Sequence, residues 1–225
     1  MIDAFCFLKE GVGGSGRDGT DRPGGTYRRY WRSILVAAIW LGLVHPALAF
    51  TTVVIDPGHG GIDRGGIPGQ RVPEKVMALD TAWRLEKLLR AAGFRTIMTR
   101  RDDKFVSLPA RVAIANAQWD AIFISIHYNA TPRPEAEGFE TYYYTRRSAR
   151  LAAACYSEIV RAWPGMRRGI RTRGFFVIRR TVIPSVLVEP GFLTNPEDAA
   201  LISRPQMRQR IAELLAAAII SKRDM

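Results

Sequence analysis

The chain has 225 residues, 47% hydrophobic and 24% charged, with 33 Lys and Arg against 21 Asp and Glu. That length accommodates one α/β domain with a full core and excludes two domains of ordinary size. The formal net charge of +12 points to an anionic partner: nucleic acid for a cytosolic protein, a cell-wall polymer or lipid headgroups for an exported one.

The first 49 residues read as an export leader. Arg28, Arg29 and Arg32 precede an apolar run from Ile34 to Val44, and Ala47-Leu48-Ala49 supplies small residues around a cleavage point. The run is short for a permanent span, which needs roughly 20 apolar residues. Tyr30 and Trp40 lengthen the stretch enough to keep an uncleaved anchor as the alternative, and Arg28-Arg29 partly resembles a twin-arginine signal. Residues 1–27 are a long polar lead, read as a disordered extension or as a sign that the true start lies downstream. Cleavage leaves 50–225 with a net charge of +10, since residues 1–49 hold six basic and four acidic side chains. Cys6 departs with the leader and Cys155 remains alone, so no disulfide is expected despite the exported location, periplasm or cell envelope.

From Thr51 the pattern alternates between β-branched runs and amphipathic stretches, the signature of an α/β domain. Thr51 to Asp56 reads as a first strand. Lys75 to Ala92 follows as a helix, with Ala78, Ala82, Leu85 and Leu89 on one face and Gly93 as its stop. Arg95 to Thr99 is the next strand and Pro109 to Ala117 the next helix, opened by its proline. Ala121 to Ile126 is almost continuously apolar, as a central strand should be, whereas Phe139 to Tyr144 alternates and fits an edge or outer face. Ser148 to Trp163 reads as a basic helix with Cys155 in its apolar stripe, then an Arg-rich turn, then strands at Phe175 to Ile178 and Ser185 to Val188. Pro205 to Ser221 closes the chain as a helix. The expectation is a single domain with a mixed, mostly parallel sheet of about six strands and helices on both faces.

Three of these strands deliver chemistry at their carboxyl ends. The first runs into PGHGG and presents His59; AIFISI runs into His127; SVLV runs into Glu189. In open α/β sheets ligands collect beyond the carboxyl ends of the strands, so residues distant in sequence can meet there. Two imidazoles and a carboxylate, with an open fourth position for water, form the usual catalytic zinc set. The candidates for that carboxylate are Asp63, Glu74, Glu137 and Glu140. The loop Asp56 to Gly66 lacks the G-K-[ST] ending of a phosphate loop, which favours a ligand role for His59. Asp56 reads as a turn-capping or supporting carboxylate. Glu189 is read as a general base, with a fourth metal ligand or an arginine partner as the alternatives. Asn129 either holds substrate or caps a turn.

The segments VVIDPGHGG, VPEKVMALD, ISIHYNA and SVLVEPGFLTN together resemble the zinc-dependent N-acetylmuramoyl-L-alanine amidases of the Amidase_3 type, over essentially all of Thr51 to Ile220. The resemblance implies that His59, Glu74 and His127 bind Zn2+ and that Glu189 is the catalytic carboxylate. It implies cleavage of the amide between N-acetylmuramic acid and the L-alanine of the stem peptide. It also implies a peptidoglycan partner and no nucleic acid, with membrane contact only through the export signal; a monomer is expected. Division-associated members insert a blocking helical segment after the strand matching Phe139 to Tyr144. Here a single basic helix and a short turn fill that interval, so activity without an activator is expected. A zinc peptidase acting within the stem peptide and a non-catalytic wall-binding module are the rival readings.

Overall fold

The structure is a computed structural model that describes residues 50–223; the expected leader, Cys6 and His45 lie outside the described residues. Chain order begins with β1 (Thr52–Pro57), α1 (Glu74–Ala91), β2 (Arg95–Met98), α2 (Leu108–Asn116) and β3 (Ala121–Ile126). It continues through β4 (Phe139–Tyr143), a 3-10 turn at Arg146–Ser148, α3 (Ala149–Val160), β5 (Arg167–Thr172) and α4 (Phe176–Arg180). It ends with β6 (Ser185–Pro190), α5 (Pro196–Ser203) and α6 (Pro205–Ile220).

The strands form one six-stranded sheet in the order β2-β1-β3-β6-β4-β5. The first four are mutually parallel; β4 runs antiparallel to β6, and β5 parallel to β4. From β1 the chain steps outward to β2 and then returns to β3 on the other side. β1 and β3 therefore flank the switch point at which α/β sheets open a crevice.

Every residue of β1 and β3 is buried, which explains their largely apolar sequence. Alternate side chains feed two cores. Val53, Ile55, Ile124, Val186 and Val188 meet Leu85, Leu89, Leu151, Ile211 and Leu215 from α1, α3 and α6. Val54, Phe123 and Leu187 meet Ala115, Val177 and Ile178 from α2 and α4. Helices thus cover both faces. Cys155 is a buried core thiol, its pKa pushed up to about 12 by burial. Among the described residues no helix is long and apolar enough to cross a membrane.

Three local expectations are corrected. Phe175 to Ile178 is not a strand; Phe176–Arg180 is a short helix that seats Val177 and Ile178 in the second core. The outer strand is instead Arg167–Thr172, expected as an Arg-rich turn. It sits at the sheet edge, mostly exposed, where arginines can line a strand without a core to fill. Phe139–Tyr143 is consequently interior, between β6 and β5, and its first four residues are buried. A further helix, α5, opens at Asn195, whose side chain accepts the Asp198 N–H, and carries proline in its first turn. The α1 stop behaves as expected: Gly93, at φ 84°, lets the Gly93 and Phe94 N–H groups bond back to Arg90 and Leu89.

Candidate active site

β1 hands the chain to a glycine-rich loop in which His59 itself adopts a left-handed backbone, φ 58°. A non-glycine residue there costs free energy and persists only when its surroundings impose it. Two buried arginines do so. Arg111 Nη1 donates to the Pro57 carbonyl at 2.6 Å and Nη2 to the His59 carbonyl at 2.6 Å. Arg100 Nη2 donates to the Gly58 carbonyl at 2.7 Å and to the Lys75 carbonyl at 2.8 Å. Asp56 is the supporting carboxylate. Fully buried, it accepts from Thr99, Ser125 and Arg111 at 2.6–2.7 Å and so locks the ends of β1, β2 and β3 to α2.

On this platform His59, Glu74 and His127 converge, with their ligand atoms all within 4.8 Å of one another. His59 Nε2 lies 3.0 Å from Glu74 Oε2, His127 Nδ1 2.8 Å from Glu74 Oε1, and the two ring nitrogens 3.1 Å apart. A tetrahedral ion with bonds of about 2.0–2.1 Å would place its ligands about 3.3 Å apart, and this donor set is the zinc type. The residues therefore fit the ion. Glu74 stands at the first position of α1, where a carboxylate favours the helix dipole, and it also accepts the Tyr128 N–H at 2.9 Å. His59 Nδ1 hydrogen-bonds Asp63 at 2.8 Å, which orients the imidazole with Nε2 inward.

Close packing explains two of the glycines. A Cβ on Gly58 would lie 2.4–2.6 Å from atoms of the His127 ring, and one on Gly65 2.5 Å from His59 and 2.6 Å from Glu74. The electrostatics are equally specific. Burial works to raise the Glu74 pKa, but its hydrogen bonds from His127 and His59 prevail and hold it at about 2. Burial lowers that of His59, yet Glu74 and Asp63 leave it raised.

Of the four carboxylates open in sequence, only Glu74 joins the two histidines. Asp63 stands behind His59, and Glu137 is outside the cluster. Glu140 is paired elsewhere: it accepts from Arg168 Nε at 2.6 Å, Asn129 Nδ2 at 3.1 Å and the Tyr142 hydroxyl. Across the antiparallel ladder Glu140 faces Glu189, so the two carboxyls share a sheet face. Glu189 forms no ion pair among the described residues. Burial first, then the charges of Glu74 and Glu140, push its pKa up to about 8, against a hydrogen bond from Asn129. Asn129 donates its amide to Glu140, while its Oδ1 accepts the Ala130 N–H at 2.9 Å, a turn cap.

This constellation accompanies a family match. Residues 53–221 fit the family described as N-acetylmuramoyl-L-alanine amidase, Amidase_3. The chain belongs to that family. Similar proteins include the uncharacterized YqiI of Bacillus subtilis, 34% identical over 88% of this chain and 99% of its own length. The N-acetylmuramoyl-L-alanine amidase LytC of Bacillus subtilis is 38% identical over 76% of this chain but only 35% of its own. Among solved structures, the catalytic domain of the amidase CwlV from Bacillus (Paenibacillus) polymyxa superposes with a TM-score of 0.73. It has 33% identity and covers 76% of this chain and 97% of that one. The amidase AmiC2 of Nostoc punctiforme gives 0.71 and 36%, covering 76% and 95%.

Sequence reasoning missed Arg100 and Arg111, which hold the amidase's histidine loop from β2 and α2. No local pattern distinguishes them from the chain's other arginines; only their burial does.

Proposed function

We propose that this amidase hydrolyses the bond between the lactyl group of N-acetylmuramic acid and the L-alanine of the stem peptide in peptidoglycan. Residues 50–225 would form the catalytic domain, exported behind a leader formed by residues 1–49. His59 Nε2, Glu74 and His127 Nδ1 are the zinc ligands. When bound, zinc polarises a carbonyl and lowers the pKa of a water toward about 7. Glu189 accepts the proton of the attacking water and returns it to the departing alanine nitrogen. Asn129, anchored on Glu140 by its amide, stands beside Glu189 and meets the substrate. Asp63 holds His59, and Arg100 with Arg111 keeps the histidine loop in its strained backbone.

The observation that carries this reading is the contrast between Glu189 and Glu140. Two carboxyls face each other beside the ligands; Glu140 is occupied by arginine, tyrosine and asparagine, and Glu189 has no cationic partner among the described residues. A carboxylate left free of a cation beside the attacking water is suited to proton transfer. A groove of about 840 Å³ lined by Ile67, Gln70, Val72, Pro134, Leu193 and Ala199 shares its Ile67–Val72 wall with the His59 cleft and offers room for a peptide.

The test is mass spectrometry of products from purified muropeptides and the zinc-loaded chain. Free peptides beginning with L-alanine, together with peptide-free muramic acid, are expected. New termini within the stem peptide would make the enzyme a peptidase instead.

A further inference from the structure

The end of the sheet opposite the crevice carries an assembled surface of its own. Trp119, in the turn entering β3, is 91% exposed, and Val182, in the turn entering β6, is 60% exposed. Hydrogen bonds join these turns. Asn116 accepts the Val182 N–H at 2.8 Å and donates to the Arg180 carbonyl at 3.1 Å, three residues before Trp119. Arg147 Nη1 donates to the Val182 carbonyl at 2.7 Å and brings in the turn after β4, which ends at this side because it runs antiparallel. Arg146, Arg147, Arg179 and Arg180 are all exposed around the two apolar tips. The acid on this rim, Asp120, is turned onto the hydroxyls of Thr51 and Thr52.

The described chain enters β1 at the same rim. The Thr51 N–H bonds the Asp120 carbonyl at 3.0 Å, beside Trp119, and residues 28–44 carry three arginines followed by an apolar run. We propose that this basic rim docks on the surface of an anionic lipid bilayer, with Trp119 and Val182 entering the headgroup region and the arginines meeting lipid phosphates. An exposed tryptophan and an exposed valine on turns tied together at one rim are rewarded by a bilayer interface, where amphipathic rings settle. A soluble polyanion would reward only the charge. Six strand residues at about 3.3 Å each separate the rim from His127, so docking holds the crevice roughly 20 Å above the lipid, facing away from it. The surface would act in addition to the leader, whether the leader is retained or removed.

The experiment uses the full chain, so that residues 1–49 contribute equally to every sample. Vesicles of equal parts phosphatidylcholine and phosphatidylglycerol are compared with phosphatidylcholine alone, by co-sedimentation and tryptophan emission. A triple variant, Arg146→Gln, Arg179→Gln and Arg180→Gln, should lose roughly fivefold in partition per arginine on the anionic vesicles. In a background carrying Trp31→Phe and Trp40→Phe, Trp119→Ser should weaken partition and abolish most of the vesicle-induced blue shift. The corresponding triple Arg→Lys variant should partition like the parent, and every variant should hydrolyse soluble muropeptides at the parental rate, which reports intact folding. Equal partition of the parent and the glutamine variant, or equal partition on both vesicle types, would overturn the proposal. So would loss of binding to isolated anionic wall polymer with vesicle partition unchanged.

Discussion

Gly65 offers a direct test of how the proposed metal ligands are held. Its φ of 69° is left-handed, and a Cβ built there would stand 2.5 Å from His59 Cδ2 and 2.6 Å from Glu74 Oε2. Ordinary contact begins near 3.4 Å, so in Gly65→Ala the imidazole or the carboxylate must yield by nearly an ångström. Metal sites tolerate departures of only about 0.2 Å in ligand distance. Gly69 supplies the control. At φ 81° it carries the same backbone demand, but its Cβ would meet nothing within 4 Å. Each alanine should therefore cost about 1–2 kcal/mol of stability through left-handed strain. That cost lowers the melting temperature by roughly 2–8 °C in a domain of this size. Only Gly65→Ala should also lose zinc affinity, about 10–100-fold, the range seen when the support of a ligand is disturbed. Chelator competition measures the affinity and calorimetry the stability. If Gly65→Ala binds zinc as tightly as Gly69→Ala, the close approach of the two ligands to this glycine is not what fixes them.

Glu189→Gln should retain stoichiometric zinc and lose about 10²–10⁴-fold in turnover; zinc lost in step with activity would make Glu189 a ligand. In the metal-free protein the folded Glu189 carboxyl titrates near 8 against 4.5 when unfolded, so the folded chain keeps a proton that the unfolded chain releases. Its destabilising effect is absent below about 4.5, grows as pH rises and is complete above about 8. Metal-free Glu189→Gln should accordingly melt higher than the parent at pH 9 and not at pH 4, and parallel melting curves would contradict the shift. Asp63→Ala should weaken zinc about 10–100-fold while preserving most turnover at saturating metal; an unchanged affinity would remove Asp63 from the support of His59. Arg111→Leu leaves Asp56 buried without its cation and should cost about 3–5 kcal/mol in denaturant unfolding, with a loss under 1 kcal/mol refuting that role.

His59, His127 and Glu189 were legible as candidates in the chain because each sits where a change of period is visible. A continuous apolar strand ends in a histidine or glutamate followed by glycine, proline or a polar residue, and strand ends converge in a parallel sheet. The helix stop at Gly93 and the apolar faces of α1 and α6 were legible for the same reason, since local periodicity and capping are properties of a few adjacent residues. Choosing Glu74 over Asp63, Glu137 and Glu140 was not. Spacing left all four open; the resemblance to a family selected one, and the fold separates them by bringing α1 back over β3 while β5 occupies Glu140 with Arg168.

The outer part of the sheet was misread because edge strands are set by pairing and not by burial. Arg167 to Thr172 has no apolar face to announce it, and Phe176 to Arg180 has strand-forming side chains but a seat in the core that only a helical turn reaches. The sequence by itself determined the histidines and the glutamate that stand at strand ends, and the excess of positive charge. The tertiary structure alone decided which of 33 basic residues are buried under the histidine loop and which gather on the far rim, because burial and juxtaposition are long-range properties that no window of sequence contains.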